Sequence, residues 1–198
     1  MAKPYHHGNL RETLINAASD LIAQKGGYGF TLAEAAKVAG VSVAAPYRHF
    51  PSKDDLIIAL AEQGFTTFAT SLRTARKSQP DPMLSILAMG KAYLTFSIDH
   101  KGAYIAMFES GVSLDGNQKN ISPAVQSFAE LLVASEIFVR SISSANKPMA
   151  GEVAQHIWAL SHGVTSLFLR NSPDPDAPQR AQYILENGAR TYLKGLCS

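Results

Sequence analysis

The chain has 198 residues, 46% of them hydrophobic, and a formal net charge of +2, which suits a globular core and is too small a charge to indicate a partner. No apolar run approaches the roughly 18 residues that a membrane-spanning helix needs, no apolar signal segment follows the first residues, and a single cysteine forms no internal disulfide. These features exclude a membrane-spanning protein and a disulfide-linked scaffold, and they favour a globular protein of the cytoplasm.

Two helices are predicted near the N-terminus. Apolar residues recur at helical spacing after Asn9, which suits an N-cap, until Gly26 ends the pattern. Thr31 and Glu34 have the spacing of a capping box, so a second, short helix is expected from Thr31 to about Ala39.

A third short helix is predicted directly afterwards. Ser42 is a second N-cap signal, and the helix is expected to run from Val43 to about His49. Pro46 lies near its fourth position, where a proline removes only the first intrahelical hydrogen bond, so we expect the helix to form. The second and third helices together predict a helix-turn-helix over residues 31–50.

Helices this short are not stable alone in water, so the pair must pack on its neighbours. The residues expected to face inward or to allow close approach are Val38, Val41, Phe50, Ala35, Ala36 and Ala39. The start of the third helix then offers only small side chains. Such a shape suits entry into a major groove and contact with thymine methyl groups.

The remainder of the chain is predicted to be helical as well. Apolar spacing and helix-start residues place helices at about Lys53 to Lys77, Met83 to Asp99, Gly102 to Ser110, Pro123 to Ala145, Pro148 to Arg170 and Gln179 to Leu196. A polar loop is expected over residues 111–122, and no segment alternates with period two. The predicted fold is all-α with about nine helices, a long one of which joins an N-terminal helix-turn-helix domain to a C-terminal bundle.

Positive charge is concentrated in the first part of the chain. Residues 1–53 hold six Lys or Arg and three Asp or Glu, whereas the remaining residues hold twelve Lys or Arg and thirteen Asp or Glu. An anionic partner is therefore expected to contact the N-terminal segment.

The stretch TLAEAAKVAGVSVAAPYRHF resembles the DNA-binding motif of the tetracycline-repressor (TetR) family of bacterial transcription regulators. The family pattern T-x-x-x-[IV]-A-x-x-A-G-V-S-x-x-x-[LP]-Y-x-H-F-x-x-K-x-x-L is matched in register by Thr31, Ala36, Ala39, Gly40, Val41, Ser42, Tyr47, His49, Phe50, Lys53 and Leu56. Ala35 replaces the usual bulky aliphatic residue, and Pro46 replaces the commoner Leu. A subgroup of the family similarly reads A-P-Y-R-H-F after a segment like Tyr5-His-His-Gly-Asn-Leu-Arg11.

This resemblance implies a DNA-binding transcriptional regulator, by family default a ligand-responsive homodimeric repressor on a palindromic operator. Residues 1–52 would form the DNA-binding domain, 53–77 a linking helix, and 78–198 the effector-binding and dimerisation domain. The implied partners are double-stranded DNA, a second copy of the chain and a small hydrophobic effector. No cofactor, metal or catalytic residue is implied.

The resemblance also indicates which residues contact DNA. They are Thr31, Ser42, Val43, Ala44, Ala45, Tyr47, Arg48, His49 and Lys53. Tyr47, His49 and Lys53 correspond to phosphate contacts, whereas residues 43–45 and Arg48 are the candidates for base recognition. Because residues 43–45 are small, specificity is expected to rest partly on DNA shape and water.

Several of these assignments have an alternative. Thr31 serves equally well as a helix cap alone, Tyr47 as a packed aromatic residue, and Arg48 as a phosphate contact. The His6-His7 pair either joins Arg11 in a basic arm along the flanking DNA or lies in a solvated N-terminus, and we favour the solvated N-terminus.

The last two helices are the candidates for dimerisation, as in the family. Their stripes contain Val153, Ile157, Trp158, Leu160, His162, Val164, Leu167, Phe168, Tyr183, Ile184 and Tyr192. The same stripes could be buried inside the subunit, but two DNA-reading elements held about 34 Å apart need a dimer surface, so we favour the interface. Trp158, His162 and Gly163 also resemble the Trp-His-Gly C-terminal domain class, where a structural role is expected and Gly163 would permit close helix packing.

An effector pocket is a further expectation from the resemblance. Its candidate residues are Phe65, Phe68, Met89, Tyr93, Phe96, His100, Tyr104, Met107 and Phe108. An ordinary core would use the same residues, so both interpretations stay open. A bound effector is expected to tilt the linking helix and weaken DNA binding.

The alternative function is an all-helical enzyme or interaction protein without DNA binding. The sequence contains no glycine-rich phosphate loop, His-Glu-x-x-His pair, nucleophile elbow or metal-spaced cysteines. The His6-His7 pair without a third ligand is weak support for a metal site. The matches at Tyr47, His49 and Lys53 favour the DNA-binding regulator.

Overall fold

The computed structural model describes residues 10–111, 123–143, 147–169 and 172–197. Within these ranges there are eight α-helices and no strand, which confirms the predicted all-α class. The helices are α1 (Leu10–Lys25), α2 (Leu32–Val38), α3 (Lys53–Lys77), α4 (Pro82–Asp99), α5 (Lys101–Glu109), α6 (Pro123–Ser141), α7 (Ala150–Val164) and α8 (Ala177–Gly195). The predicted polar loop lies almost wholly outside the described residues.

Local sequence signals set the ends of the first helices. After Lys25 the chain turns through Gly26, whose φ of 66° is accessible to glycine at little cost. Thr31 is the N-cap of α2, as predicted. At the start of α3, the Ser52 hydroxyl accepts the N–H of Asp55 at 3.2 Å, and the Asp55 carboxylate accepts the N–H of Ser52 at 3.0 Å. Each of these two helices therefore begins with a reciprocal side-chain cap.

The prediction of a third α-helix is wrong. Residues 43–49 instead form a turn and a three-residue 3₁₀ helix, Pro46–Arg48. Pro46 has no N–H to donate to the carbonyl of Ser42, which accepts the N–H of Ala45 at 2.9 Å instead. Ala45, and not Ser42, therefore precedes the helical turn. The loss of one bond matters here because so short a helix has few others to offset its nucleation cost.

The position of Val38 also differs from the prediction. Val38 was expected to face inward, but its side chain is 51% exposed. The buried face of α2 consists of Leu32, Ala35 and Ala36, and Val38 lies about 200° around the helix from Ala36. Of the other two large residues expected inside, Phe50 is buried and Val41 is half-buried.

The predicted end of α6 is too late. The helix ends at Ser141, and Ala145 lies outside the described residues. The Ser141 hydroxyl donates to the carbonyl of Phe138 at 2.7 Å, and Lys147 Nζ donates to the carbonyl of Arg140 at 3.4 Å. These side chains satisfy carbonyls that have no partner once the helix stops.

The predicted start of α7 is too early. The helix begins at Ala150 and not at Pro148, because Met149 is its extended N-cap with ψ of 135°. Beyond α7 the chain continues as a π-helical segment over Thr165–Leu169, and the predicted end at Arg170 lies outside the described residues.

The last helix begins earlier than predicted. α8 starts at Ala177, and Pro178 occupies its first turn and not the preceding loop. A proline fits this position because an N–H there has no acceptor within the helix.

Contacts divide the chain into two compact units. The first consists of Met1–Gly64 and His100–Asn117. In it α5 lies directly against α1, since a Cβ atom on Gly102 would clash with the carbonyl of Ser19. Its buried apolar residues include Leu14, Ile15, Ile22, Phe30, Phe50, Leu56 and Leu60.

The second unit consists of Phe65–Asp99 and Gln118–Ser198. Within it α6 packs on α4 and α7, and α8 packs on α4 and α7. Its buried apolar residues include Phe68, Leu72, Ile86, Met89, Tyr93, Phe96, Leu131, Phe138, Val153 and Ile157. The division between the units falls inside α3, whereas domain limits at residues 52 and 77 stay a prediction.

Candidate nucleic-acid interface

The start of α2 is a closed network of hydrogen bonds. Glu34 donates its N–H to Thr31 Oγ1 at 3.2 Å, and its carboxylate accepts the Thr31 N–H at 2.8 Å and the Thr31 hydroxyl at 3.2 Å. The hydroxyl is thus engaged both as a donor and as an acceptor. This geometry favours the capping role of Thr31 over the predicted phosphate contact.

Lys25 extends this network to the end of α1. Its Nζ atom donates to Glu34 Oε1 at 2.7 Å and to the carbonyl of Gly29 at 2.8 Å. The hydrogen bond from Lys25, followed by that from the Thr31 N–H, lowers the pKa of Glu34 below its ordinary value. Glu34 therefore stays ionised in the folded chain at neutral pH.

The segment after the turn presents a row of exposed side chains. Pro46 and Phe50 are buried one helical turn apart, so that residues 47–49 between them lie outside. Val43 is 60% and Tyr47 58% exposed, which rules out a packed core position for Tyr47. The remaining predicted contacts in this segment are also accessible: Ser42, Ala44, Arg48 and His49 are exposed, and Ala45 is half-buried.

Lys53 lies in the same unit, at the first position of α3. Its Nζ atom donates to the carbonyl of Tyr28 at 3.1 Å and lies 5.7 Å from the ring centroid of Phe30. The side chain is only half-buried. An ammonium group carries three N–H donors, and the carbonyl of Tyr28 takes one of them.

Of the three residues considered for a basic arm, Arg11 is the one within the described ranges, where it lies in the first turn of α1. The guanidinium carbon of Arg11 lies 5.4 Å from the ring centroid of Phe50, so Arg11 rests on the unit that carries the exposed segment. The His6-His7 pair lies outside the described residues.

Tyr28 and Lys25 are two residues of this region that the sequence analysis missed. Tyr28 donates its hydroxyl to the carbonyl of Ile105 at 2.6 Å, although 77 positions separate them. Lys25 and Glu34 are nine positions apart across a loop, which is not a helical spacing. Neither contact had a signal in the spacing of residues, because both depend on how the loop between α1 and α2 folds.

Two family descriptions match the chain. Residues 14–60 match the bacterial regulatory proteins of the tetR family. Residues 86–190, more than half of the chain, match the tetracyclin repressor-like C-terminal domain. The chain belongs to the TetR family. This TetR protein is a DNA-binding transcriptional regulator and not an enzyme.

Known TetR-type proteins are similar to the chain over most of its length. The HTH-type transcriptional regulator BetI of Brucella canis is 26% identical over 177 residues, which cover 88% of this chain and 85% of BetI. The fatty acid degradation regulator FadR from Bacillus halodurans has the same fold, with a TM-score of 0.74 at 16% identity over 92% of this chain and 95% of FadR. The TetR family regulator PfmR from Thermus thermophilus has a TM-score of 0.73 at 17% identity, and the match covers 92% of this chain and 98% of PfmR.

The residues predicted to line an effector pocket in this TetR protein belong to both units. Phe65, Phe68, Met89, Tyr93 and Phe96 are buried in the second unit. The other four lie in the first unit, where Tyr104 and Met107 are buried, Phe108 is half-buried and His100 is exposed.

Aromatic rings pack together in the second unit. The ring centroids of Phe68 and Tyr93 are 5.1 Å apart, and those of Tyr93 and Trp158 are 5.6 Å apart, both in edge-to-face geometry. The Tyr93 hydroxyl lies 2.9 Å from His162 Nδ1. His162 is therefore satisfied within the fold, as expected for a structural residue, whereas the Trp-His-Gly class itself stays a prediction.

The predicted dimer residues separate into buried and exposed sets. Val153, Ile157 and Val164 are at most 5% exposed inside the second unit, so these three belong to the subunit core and not to an interface. Leu160 and Phe168 are partly buried against a cluster of α4, α7 and α8 side chains. Trp158, His162 and Tyr192 are half-buried, and Leu167, Tyr183 and Ile184 are exposed.

The described residues also bear on metal binding and on membrane insertion. In the described ranges, no group of three or more His, Cys, Asp or Glu side chains could hold a metal ion. No helix in that part of the chain is long and apolar enough to cross a membrane.

Proposed function

We propose that this TetR protein is a cytoplasmic homodimeric repressor that binds a palindromic operator through residues 42–49 and Lys53. The observation that carries the proposal is the alternation of buried and exposed residues in this segment. Pro46 and Phe50 anchor it to the unit, and Val43, Tyr47 and Arg48 remain exposed. Phosphate contacts from Tyr47, His49 and Lys53 would set the position on DNA, and Arg48 would contribute most of the polar base recognition.

The 3₁₀ turn alters how the operator would be recognised. A three-residue turn inserts less of the chain into a major groove than an α-helix of seven residues, and Val43 and Ala44 carry no hydrogen-bonding side-chain atoms. Specificity is then expected to depend on thymine methyl contacts, on Arg48 and on the shape of the DNA.

A dimer would supply the second half of the recognition. Support comes from the exposed apolar side chains Leu167, Tyr183 and Ile184. A Cβ atom added at Gly163 would meet no atom of the described residues within 4 Å, so we propose that this part of α7 receives a neighbouring helix. Two reading elements about 34 Å apart would contact successive turns of the major groove on one side of the DNA.

A small hydrophobic effector would regulate the repressor. The proposed contact region in the second unit is the aromatic group of Phe68, Tyr93 and Phe96, whose apolar rings suit a mostly apolar ligand. Binding there would favour an arrangement of the dimer with lower operator affinity.

The experiment that tests the proposed function begins with selection of bound sequences from random DNA by the purified full-length chain. We expect a palindromic motif whose binding weakens steeply with salt. Tyr47→Ala and Lys53→Ala should each weaken binding about tenfold. The matched control is Lys91→Ala, which removes an exposed lysine of the second unit and should leave binding unchanged. Binding without sequence preference, or equal losses in all three variants, would contradict the proposal.

A further inference from the structure

Tyr28 connects the backbone of α5 to Lys53 in the first unit. Its hydroxyl donates to the carbonyl of Ile105 at 2.6 Å, and its own carbonyl accepts a hydrogen bond from Lys53 Nζ at 3.1 Å. One residue of the loop between α1 and α2 is thus bonded at both ends. Its side chain is fixed by α5, and its backbone holds the ammonium group.

The Ile105 end of this connection is well fixed. Ile105 is 5% exposed and the adjacent Ala106 is fully buried. Nearby on α5, Gly102 lies so close to the Ser19 carbonyl of α1 that a side chain would not fit. The carbonyl that accepts the Tyr28 hydroxyl therefore belongs to a closely packed pair of helices. Its position is fixed by that packing, and it can hold the loop between α1 and α2 in place.

The position of Lys53 is not explained by helix stability. A cation in the first turn of a helix is disfavoured by the helix dipole, and the two acids that follow it, Asp54 and Asp55, are the residues that suit this place. The Tyr28 carbonyl and the buried Phe30 ring, 5.7 Å from Nζ, hold the ammonium group on one side. Among the described residues, the carbonyl of Tyr28 takes one N–H bond of the ammonium group, and the other N–H bonds can be donated to an anion.

We infer that Tyr28 is a positioning residue for DNA binding: its hydroxyl, anchored on Ile105, fixes the carbonyl that orients Lys53 toward a phosphate of the operator. The inference rests on the proposed function, in which Lys53 binds phosphate. Tyr28 itself need not touch DNA. Its contribution is to hold the ammonium group in one place before DNA arrives, so that less side-chain freedom is lost on binding.

The test compares Tyr28→Phe with the wild-type chain on the selected operator at several salt concentrations. Phenylalanine keeps the ring and removes only the hydroxyl. We expect a dissociation constant three- to tenfold higher and a slope of log affinity against log salt that is smaller by up to about 0.9, the value for one phosphate contact. Loss of packing alone would not change this slope. Ser97→Ala, which removes a buried hydroxyl bonded to the Leu94 carbonyl at 2.7 Å in the second unit, is the matched control and should change neither quantity.

The same substitution in a chain that already lacks Lys53 distinguishes a role in positioning Lys53 from a general effect on the structure. In a Lys53→Met chain the phosphate contact is absent, so adding Tyr28→Phe should change neither the affinity nor the salt slope further. Equal losses from Tyr28→Phe in both backgrounds, an unchanged slope in the wild-type background, or no effect of Lys53→Met on the slope would each overturn the inference. If the wild-type chain shows no salt-sensitive operator binding, the proposed function itself fails, and that outcome is distinct from the other three.

Discussion

The Oε1 atom of Glu130 lies 2.6 Å from the Nε atom of Arg73, so that one carboxylate of α6 holds the C-terminal half of α3 in the second unit. The other oxygen of Glu130 accepts a hydrogen bond from Arg76 Nε at 3.1 Å. The Glu130 side chain is only 11% exposed, whereas that of Arg73 is 48% exposed. A largely buried anion is thus balanced by two cations of a neighbouring helix.

Replacing Glu130 with Gln should destabilise the protein by roughly 1–3 kcal/mol. The neutral amide cannot balance two guanidinium groups, but the partial exposure of Arg73 lets water compensate in part, which places the cost below that of a fully buried pair. Urea unfolding followed by circular dichroism measures the loss. The control is Glu136→Gln on the same helix, whose exposed pair with Arg140 spans 3.3 Å and should cost at most about 0.5 kcal/mol. Similar losses in the two variants would contradict the prediction.

The parts of the fold that the sequence predicted are those determined by neighbouring residues. The capping box at Thr31, the acidic residues that follow Ser52 and the glycine after Lys25 act within three or four positions, and the helix ends they predicted are present. The apolar spacing likewise indicated the all-α class, because helical periodicity is a property of one segment at a time.

The parts of the fold that the sequence did not predict depend either on two opposing local preferences or on contacts with residues distant in the chain. At Pro46, the N-cap signal of Ser42 favoured an α-helix and the missing N–H of the proline opposed it, and the missing N–H prevailed. Val38 is exposed because α2 packs inward through Leu32, Ala35 and Ala36, and the sequence of α2 alone does not show which of its faces does so. The bond from Tyr28 to Ile105 joins residues whose proximity follows only from the packing of α5 on α1.

Replacing Pro46 with Ala should convert the turn into an α-helix. Alanine supplies the missing N–H, which can then donate to the Ser42 carbonyl, and it has a high helix propensity. Carbon chemical shifts of residues 43–49 measured by NMR should move toward helical values. Because Pro46 is fully buried, a modest loss of stability is expected as well. Unchanged shifts would mean that packing, and not the proline, maintains the 3₁₀ turn.

The ion pair between Lys25 and Glu34 should make stability depend on pH. The pKa of Glu34 is lowered in the folded chain, first by the hydrogen bond from Lys25, so its ionised form stabilises the fold above its ordinary value of 4.5. This contribution is lost as the pH falls through the lower folded pKa. The stability difference between the wild-type chain and Glu34→Gln should therefore be larger at pH 7 than at pH 3.

Urea unfolding at the two pH values measures this difference. Lys25→Met supplies the control, because removing the cation removes the main cause of the lowered pKa. In that background the pH dependence of the Glu34→Gln effect should shrink. A Glu34→Gln effect of the same size at both pH values would show that the ion pair does not contribute to folding.

Replacing Leu167 with Glu should weaken the proposed dimer. Leu167 is 81% exposed in the single chain, so the substitution has little effect on the core of the subunit. At a dimer interface it would bury a carboxylate without a partner and should raise the dimer dissociation constant at least tenfold, or about 1.4 kcal/mol. Analytical ultracentrifugation measures the constant. Operator affinity should fall together with dimerisation, because a monomer contacts only one half-site.

Met149→Glu is the matched control for this dimer variant. Met149 is also an exposed apolar residue, at 68%, but it lies at the N-terminal end of α7 and outside the proposed interface. Dissociation caused by Leu167→Glu and not by Met149→Glu would locate the interface on the exposed residues of α8 and of the π-helical segment after α7. If neither variant changes the oligomeric state, then Leu167, Tyr183 and Ile184 do not form the dimer surface, and the two reading elements must be held together elsewhere on the chain.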